Sequence, residues 1–205
     1  MAEIGLFPLG LVLLPTERVP LHIFEPRYRE LIAECIEGGG EFGLVLADEE
    51  GMRTVGTRAA VVEVLERFDD GRLNVLVEGR DRFRLGELTS GRSFHTGEVE
   101  PLEDEHDPSD EEHAERALAA LRTLAEVAGS DVEAPEAGSP VLSFEIAARV
   151  ELEARVKQDL LELTSERERL ERLTEVLDDA ARSVRAAQEA AAIASTNGKV
   201  HRTPE

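Results

Sequence analysis

The chain has 205 residues, 33% of them charged and 41% hydrophobic, with a formal net charge of −21. The length allows one large domain or two small ones, and the hydrophobic share is enough for a real core. The acidity is spread over both halves, with 11 Arg against 20 acids in residues 1–103 and 12 Lys and Arg against 24 acids beyond, which disfavours nucleic acid and anionic membrane surfaces as partners.

Taken in order, Glu3 to Leu14 alternates short apolar runs with Pro8 and Gly10, which predicts one or two short strands. Val19 to Phe24 reads as the next strand, and Pro26 opens a helix to Glu37, where a first turn tolerates a missing N–H. Glu25 stands at the positive end of that helix. Tyr28, Leu31, Ile32, Cys35 and Ile36 share one helical face, and Gly38 to Gly40 ends it. Phe42 to Ala47 is a continuous apolar run, the pattern of a strand buried on both faces. Asp48 to Thr54 reads as a polar turn, followed by strands at Arg58 to Phe68 and Arg72 to Glu78 joined by the hairpin signal Asp69-Asp70-Gly71. Another strand follows Gly79, with Arg80, Arg82 and Arg84 on one face and Phe83 and Leu85 on the other, and Ser93 to Leu102 is one more. Residues 1–103 therefore read as six to eight short strands and one helix. No parallel βαβ repeat occurs, which favours an antiparallel sheet curled into a barrel.

The composition changes at Glu103. Residues 104–113 read as an acidic linker, residues 114–194 as a helical bundle, and residues 195–205 as a disordered tail. Ser109 with Glu112 and Ser165 with Glu168 have capping-box spacing, and Ser139-Pro140 has an N-cap-plus-proline signature. In the last helix Leu170, Leu173, Leu177, Ala180, Val184, Ala187, Ala191 and Ala194 form a heptad-like seam. That seam can pack on the chain's own bundle. Alternatively, residues 170–194 can dock a partner helix or a second copy.

The chain offers little for catalysis. It has no phosphate-cradling G-x-x-x-x-G-K-[ST] and no G-x-S-x-G, and neither of its two lysines is placed for a serine–lysine pair. Gly38 to Gly40 follows a helix rather than preceding one, so it lacks the dipole that anion sites use. Cys35, checked against His22 as a nucleophile–base pair, falls on the apolar helix face and reads as a core thiol. The five histidines have no ligand spacing, so neither a metal nor a cofactor is expected. A single cysteine excludes an internal disulfide and fits a reducing cytosol. Ile4 to Leu14 lacks a basic flank and is broken by Pro8 and Gly10, and no run approaches the ~20 apolar residues of a membrane span. The expected location is cytoplasmic. Arg80, Arg82 and Arg84 beside Phe83 have the look of a nucleic-acid stripe, but Glu63, Glu66, Glu78, Asp81 and Glu87 can absorb them as an ion-paired sheet surface.

The run LFPLGLVLLPTERVPLHIFEPRYRELI, from Leu6 to Ile32, resembles the start of the N-terminal, substrate-binding domain of the ATP-dependent protease Lon. Phe42 to Leu46, Val55-Gly56-Thr57, Asp70 to Gly79, Arg82-Phe83 and Lys157 to Glu162 fit the same family. The resemblance implies an α+β fold, a PUA-like pseudo-barrel followed by a helical bundle. It also implies a stand-alone, non-enzymatic module that binds unfolded or specific protein segments, without Lon's ATPase and protease domains. Such a segment would lie in an apolar groove between barrel and bundle, for which Phe24, Arg27 and Tyr28 are the candidate residues. The competing expectations are RNA binding, since PUA-like barrels can bind RNA, and an adaptor or oligomerisation role through the last helix.

Overall fold

A computed structural model describes residues 2–105 and 111–197. Six strands come first: β1 (Ala2–Leu9), β2 (Arg18–Ile23), then after α1 (Pro26–Gly38) β3 (Glu41–Asp48), β4 (Gly51–Arg67), β5 (Leu73–Thr89) and β6 (His95–Pro101). Four helices follow: α2 (Glu111–Ala128), α3 (Leu142–Ala147), α4 (Ala154–Glu162) and α5 (Glu166–Asn197). The sheet order is β2-β5-β4-β3-β1-β6, and β5 also pairs with β6. Strands β5, β4, β3, β1 and β6 therefore close into a ring, and β2 is attached outside it on the first half of β5. The fold is α+β, with a mixed sheet and a helical C-terminal part.

Local chemistry sets several of these boundaries. Pro26 sits in the first turn of α1, and Glu25 precedes it as N-cap without a side-chain capping bond. The Glu25 carboxylate is held by Arg27 instead, which donates Nε at 2.9 Å and lies with Nη2 at 2.8 Å. At the β4–β5 hairpin, Gly71 adopts φ 85, Phe68 and Arg72 are hydrogen-bonded, and Gly71 N–H reaches the Phe68 carbonyl. Ser165 caps α5 by accepting the Glu168 N–H at 3.2 Å.

Several expectations need correction. One pairing is parallel, β1 on β3 (Leu6↔Gly43 through Leu9↔Leu46), so the barrel is not purely antiparallel. β4 starts at Gly51, directly after a tight turn, and the strands expected on either side of Gly79 are one 17-residue β5. Ser139-Pro140 forms a turn ahead of α3 rather than its first residues, with Ser139 Oγ accepting the Val141 N–H at 3.3 Å. α5 continues to Asn197, beyond the expected start of the tail. Ser109 and residues 198–205 lie outside the described residues.

Phe7, Tyr28, Leu31, Ile32, Phe42 and Val75 pack between the sheet and α1, while Leu6, Val45, Phe83 and Val99 fill the ring. The bundle's Leu121, Phe144, Leu160, Leu170, Leu173 and Leu177 are continuous with Val12, Leu14, Leu46 and Val55 of the barrel. Each large apolar side chain buried this way contributes about 1.5–3 kcal/mol. Gly79 has a steric role, because a Cβ there would overlap the Leu14 carbonyl that passes over it. The Leu14–Glu17 turn is fastened at that point: Thr16 N–H donates to Gly79 O and Gly79 N–H donates to Glu17 O, both at 2.9 Å. Among the described residues no helix is long and apolar enough to cross a membrane, and no group of three or more His, Cys, Asp or Glu is placed to hold a metal ion.

Candidate functional site

The first candidate surface is the outer face of β2, the first half of β5 and the second half of β4. Strand alternation sends Leu21, Ile23, Leu73 and Val75 into the core and leaves Pro20 and His22 exposed on the other face. The β4–β5 register slips between Val61 and Glu63 and again between Val64 and Glu66. The extra residues are Val62 and Leu65, and both stay in solvent, Leu65 at 47% exposure. Phe24, just past β2, is 59% exposed. The His22 ring stacks on Phe24 at 6.0 Å between centroids and meets Phe68 edge-on at 5.9 Å. His22 Nδ1 lies 2.6 Å from Asn74 Oδ1, and Asn74 donates Nδ2 to Glu66 at 3.0 Å, so the imidazole is held in place. Pro20, Leu21, His22, Leu65, Glu66 and Asn74 line a shallow depression of about 500 Å³ on this face.

The second candidate is a cleft of about 490 Å³ between barrel and bundle. Pro15, Leu102, Val141 and Phe144 form its apolar wall, while Arg58, Arg80, Arg82, Asp81, Glu103 and Asp104 supply its charges. Behind the cleft is a charged cluster that joins the two parts of the molecule. Arg82 donates to the carbonyls of Leu161 at 2.7 Å and Leu163 at 2.6 Å, and its other nitrogen pairs with Asp104. Arg169, 0% exposed, pairs with Asp104 and Glu166, donates to Leu163 O at 2.8 Å and donates Nε to Ser143 Oγ at 3.0 Å. Both guanidinium groups lie over the Phe144 ring, at 5.4 and 4.5 Å. The two titrate in opposite directions. Burial lowers the pKa of Arg82. For Arg169 burial acts the same way, but the hydrogen bonds and charges of Asp104 and Glu166 outweigh it, and its pKa is raised.

The residues singled out in the sequence do not form one site. The lining of the barrel–bundle cleft includes none of Phe24, Arg27 and Tyr28. Tyr28 is a core residue, 4.1 Å from Phe7 between ring centroids, and burial raises its pKa. Arg27 lies over the Tyr28 ring at 4.5 Å while holding Glu25. Only Phe24 of the three reaches solvent as an apolar surface. The arginine stripe is also broken: Arg80 and Arg84 are exposed, but Arg82 is under the bundle, with its donors occupied by the chain itself. Asp104, read as linker, is a structural anchor for two arginines. Strand periodicity does not single out Leu65 and Val62, although the run Val61-Val62-Glu63-Val64-Leu65 has more apolar residues than one strand face can bury. Nothing local distinguishes Arg169 from the other arginines of α5. Cys35 is a core thiol, pushed up to about 11 first by burial and then by Glu34 and Glu41.

The ring of five strands with β2 outside it, followed by a helical C-terminal part, defines the class as an α+β domain. The chain is a member of the ATP-dependent protease La (LON) substrate-binding domain family, whose sequence profile matches residues 3–179. It is 30% identical over 130 residues to the Lon protease of Parabacteroides distasonis, covering 59% of this chain and 16% of that protein. It is 26% identical over 190 residues to the Lon protease of Porphyromonas gingivalis, covering 82% and 22% respectively. The chain thus spans only about a fifth of the length of those relatives. Among solved structures it resembles a Lon N-terminal domain protein from Xanthomonas campestris, with a TM-score of 0.67 and 27% identity over 84% of this chain and 97% of that one. The N-terminal domain of a Mycobacterium avium complex Lon protease has the same fold, with a TM-score of 0.65 at 22% identity over 88% and 98%.

Proposed function

We propose that this chain binds protein segments in an extended or unfolded state, through side-chain contacts on the outer face of β2, β5 and β4. The observation that carries this reading is the exposed apolar cluster of Phe24 and Leu65, beside Val62, bordering a depression in the sheet face. Family membership in the substrate-binding domain of Lon supports it. Strand addition is the less suitable mode here. Pro20 lies on β2, which among the described residues pairs on one side only, so that free edge lacks an N–H donor. The exposed half of β4 is interrupted by two bulges. Both edges are therefore poor templates, while the face between them presents anchors with their rings already positioned. Burying Phe24 and Leu65 in a complex is worth roughly 1.5–3 kcal/mol each at full burial, the energy of weak, sequence-tolerant holding. The reading predicts that the chain binds a reduced, alkylated model protein and not the same protein in its native fold. Equal affinity for both forms, or none for either, overturns it.

A second reading rests on the end of α5. Leu170, Leu173 and Leu177 are buried in the chain's own bundle, but Ala187 and Ala191 are exposed and Ile193 is 63% exposed. Assembly through this end would be seen by light scattering. An unchanged mass after truncation beyond Arg185 assigns the helix to the chain's own fold. The RNA reading loses its central residue, since Arg82 is committed to α4 and Asp104.

A further inference from the structure

We infer that the cleft between barrel and bundle receives the C-terminal end of a bound protein chain, its carboxylate at Arg58 and Arg80 and its last apolar side chains against Leu102, Val141 and Phe144. The inference rests on the reading of the chain as a binder of protein segments and gives that activity a second, more specific site.

The two arginines are brought together by a bulge. Thr57 pairs with Arg82 and Ala59 with Gly79, so Arg80 and Asp81 of β5 stand opposite Arg58 alone. Bulges of this kind redirect side chains next to binding sites. A second irregularity lies beside it. Thr16, a β-branched residue, is held at φ 68, which costs energy for such a side chain. Its turn is fastened over Gly79, and the neighbouring Pro15 forms part of the cleft wall.

Three charged side chains in the cleft already have ion-pair partners. Arg82 and Asp104 pair with each other, and Asp104 also pairs with Arg169. Arg80 shares Glu78 at 2.6 Å on its exposed side. Arg58 differs: its side chain is 24% exposed, and among the described residues its ion-pair contact is Glu41 at 4.0 Å. A planar guanidinium in that situation has donors to spare for a carboxylate. Asp81 and Glu103 line the same cleft, so it repels a polyanion such as nucleic acid. A peptide terminus satisfies both signs, offering one carboxylate to the arginines and backbone N–H groups to the acids. The volume of about 490 Å³ suits a short peptide end beside an apolar wall.

The test uses the full chain and a fluorescent pentapeptide, Ala-Ala-Ala-Leu-Leu, with a free or an amidated C-terminus. A third peptide is amidated and carries an internal Glu, because a side-chain carboxylate has the same chemistry. The free acid is expected to bind about tenfold or more tightly than either amide, and Arg58→Gln to abolish that preference. Equal binding of acid and amide overturns the inference, as does an Arg58→Gln variant that keeps the preference. Tight binding of the internal-Glu peptide overturns the assignment to a chain terminus. The two readings fail separately. Loss of the acid preference with unfolded protein still bound removes only the cleft, whereas failure to bind unfolded protein removes the proposed function.

Discussion

Arg169→Met tests the claim that the barrel and the bundle are joined through a buried charged cluster. Arg169 is 0% exposed and holds Asp104, Glu166, Ser143 and the Leu163 carbonyl. Removing one partner of a buried ion pair costs about 3–5 kcal/mol, because a charge is left uncompensated. Here each orphaned group keeps another partner. Glu166 retains the Ser143 N–H at 2.8 Å and the Ser143 hydroxyl at 2.6 Å, Asp104 retains Arg82, and Leu163 O retains Arg82 at 2.6 Å. That places the expected loss at the lower end, about 3 kcal/mol, or roughly 6–12 °C in melting temperature for a chain of this size. Circular dichroism melts of both proteins at pH 7 measure it. Adding Glu166→Gln to the Met variant removes the uncompensated carboxylate and recovers part of the loss. A melting temperature within 2 °C of wild type for Arg169→Met, or further destabilisation by Glu166→Gln, would refute the reasoning.

Gly79→Ala places a methyl group against the Leu14 carbonyl, a backbone atom that cannot turn aside, and is expected to cost about 1–3 kcal/mol by urea denaturation, while Gly138→Ala, with open space around it, is neutral. Cys35 remains a thiol in the folded chain until about 11, against the ordinary 9.0 when unfolded. Its stabilising contribution is therefore complete below 9.0 and is lost as pH rises toward 11, so the stability gap between wild type and Cys35→Ala narrows over that range; a gap that widens contradicts the burial argument. Alkylation of Cys35 by iodoacetamide at pH 8 is expected to be slow in the native chain and fast in urea. Phe24→Ser, at an exposed position, changes the melting temperature by less than about 2 °C.

Where structure is fixed by neighbours in the chain, it was legible in the residues. Pro26 starts α1 through its fixed φ, while Gly71 turns the β4–β5 hairpin and Ser165 caps α5 through bonds within a few residues. What depends on distant partners was not legible. The parallel seating of β1 on β3 is set by closure of the ring. Arg82 looked like a surface residue because its strand alternates regularly, yet the carbonyls that bury it lie about 80 positions away, at the end of α4. Asp104 belongs to an acidic run whose composition is that of a linker, and only the docking of Arg169 makes it an anchor. The site divided in the same way. Phe24 was picked out by its place in a mixed apolar and charged stretch, but its neighbours Leu65 and Val62 reach solvent through bulges, which leave no clear mark in one sequence. Tyr28, adjacent to Arg27, was drawn into the core by Phe7.

The most direct test of the account is the affinity of the Phe24→Ser, Leu65→Ser double variant for a reduced, alkylated model protein, followed by fluorescence anisotropy. Both side chains are about half exposed in the free chain and lie outside its core, so a melting curve of the variant separates loss of binding from loss of fold. The account predicts affinity at least about tenfold weaker than wild type. Unchanged affinity in a variant that melts with wild type would contradict it.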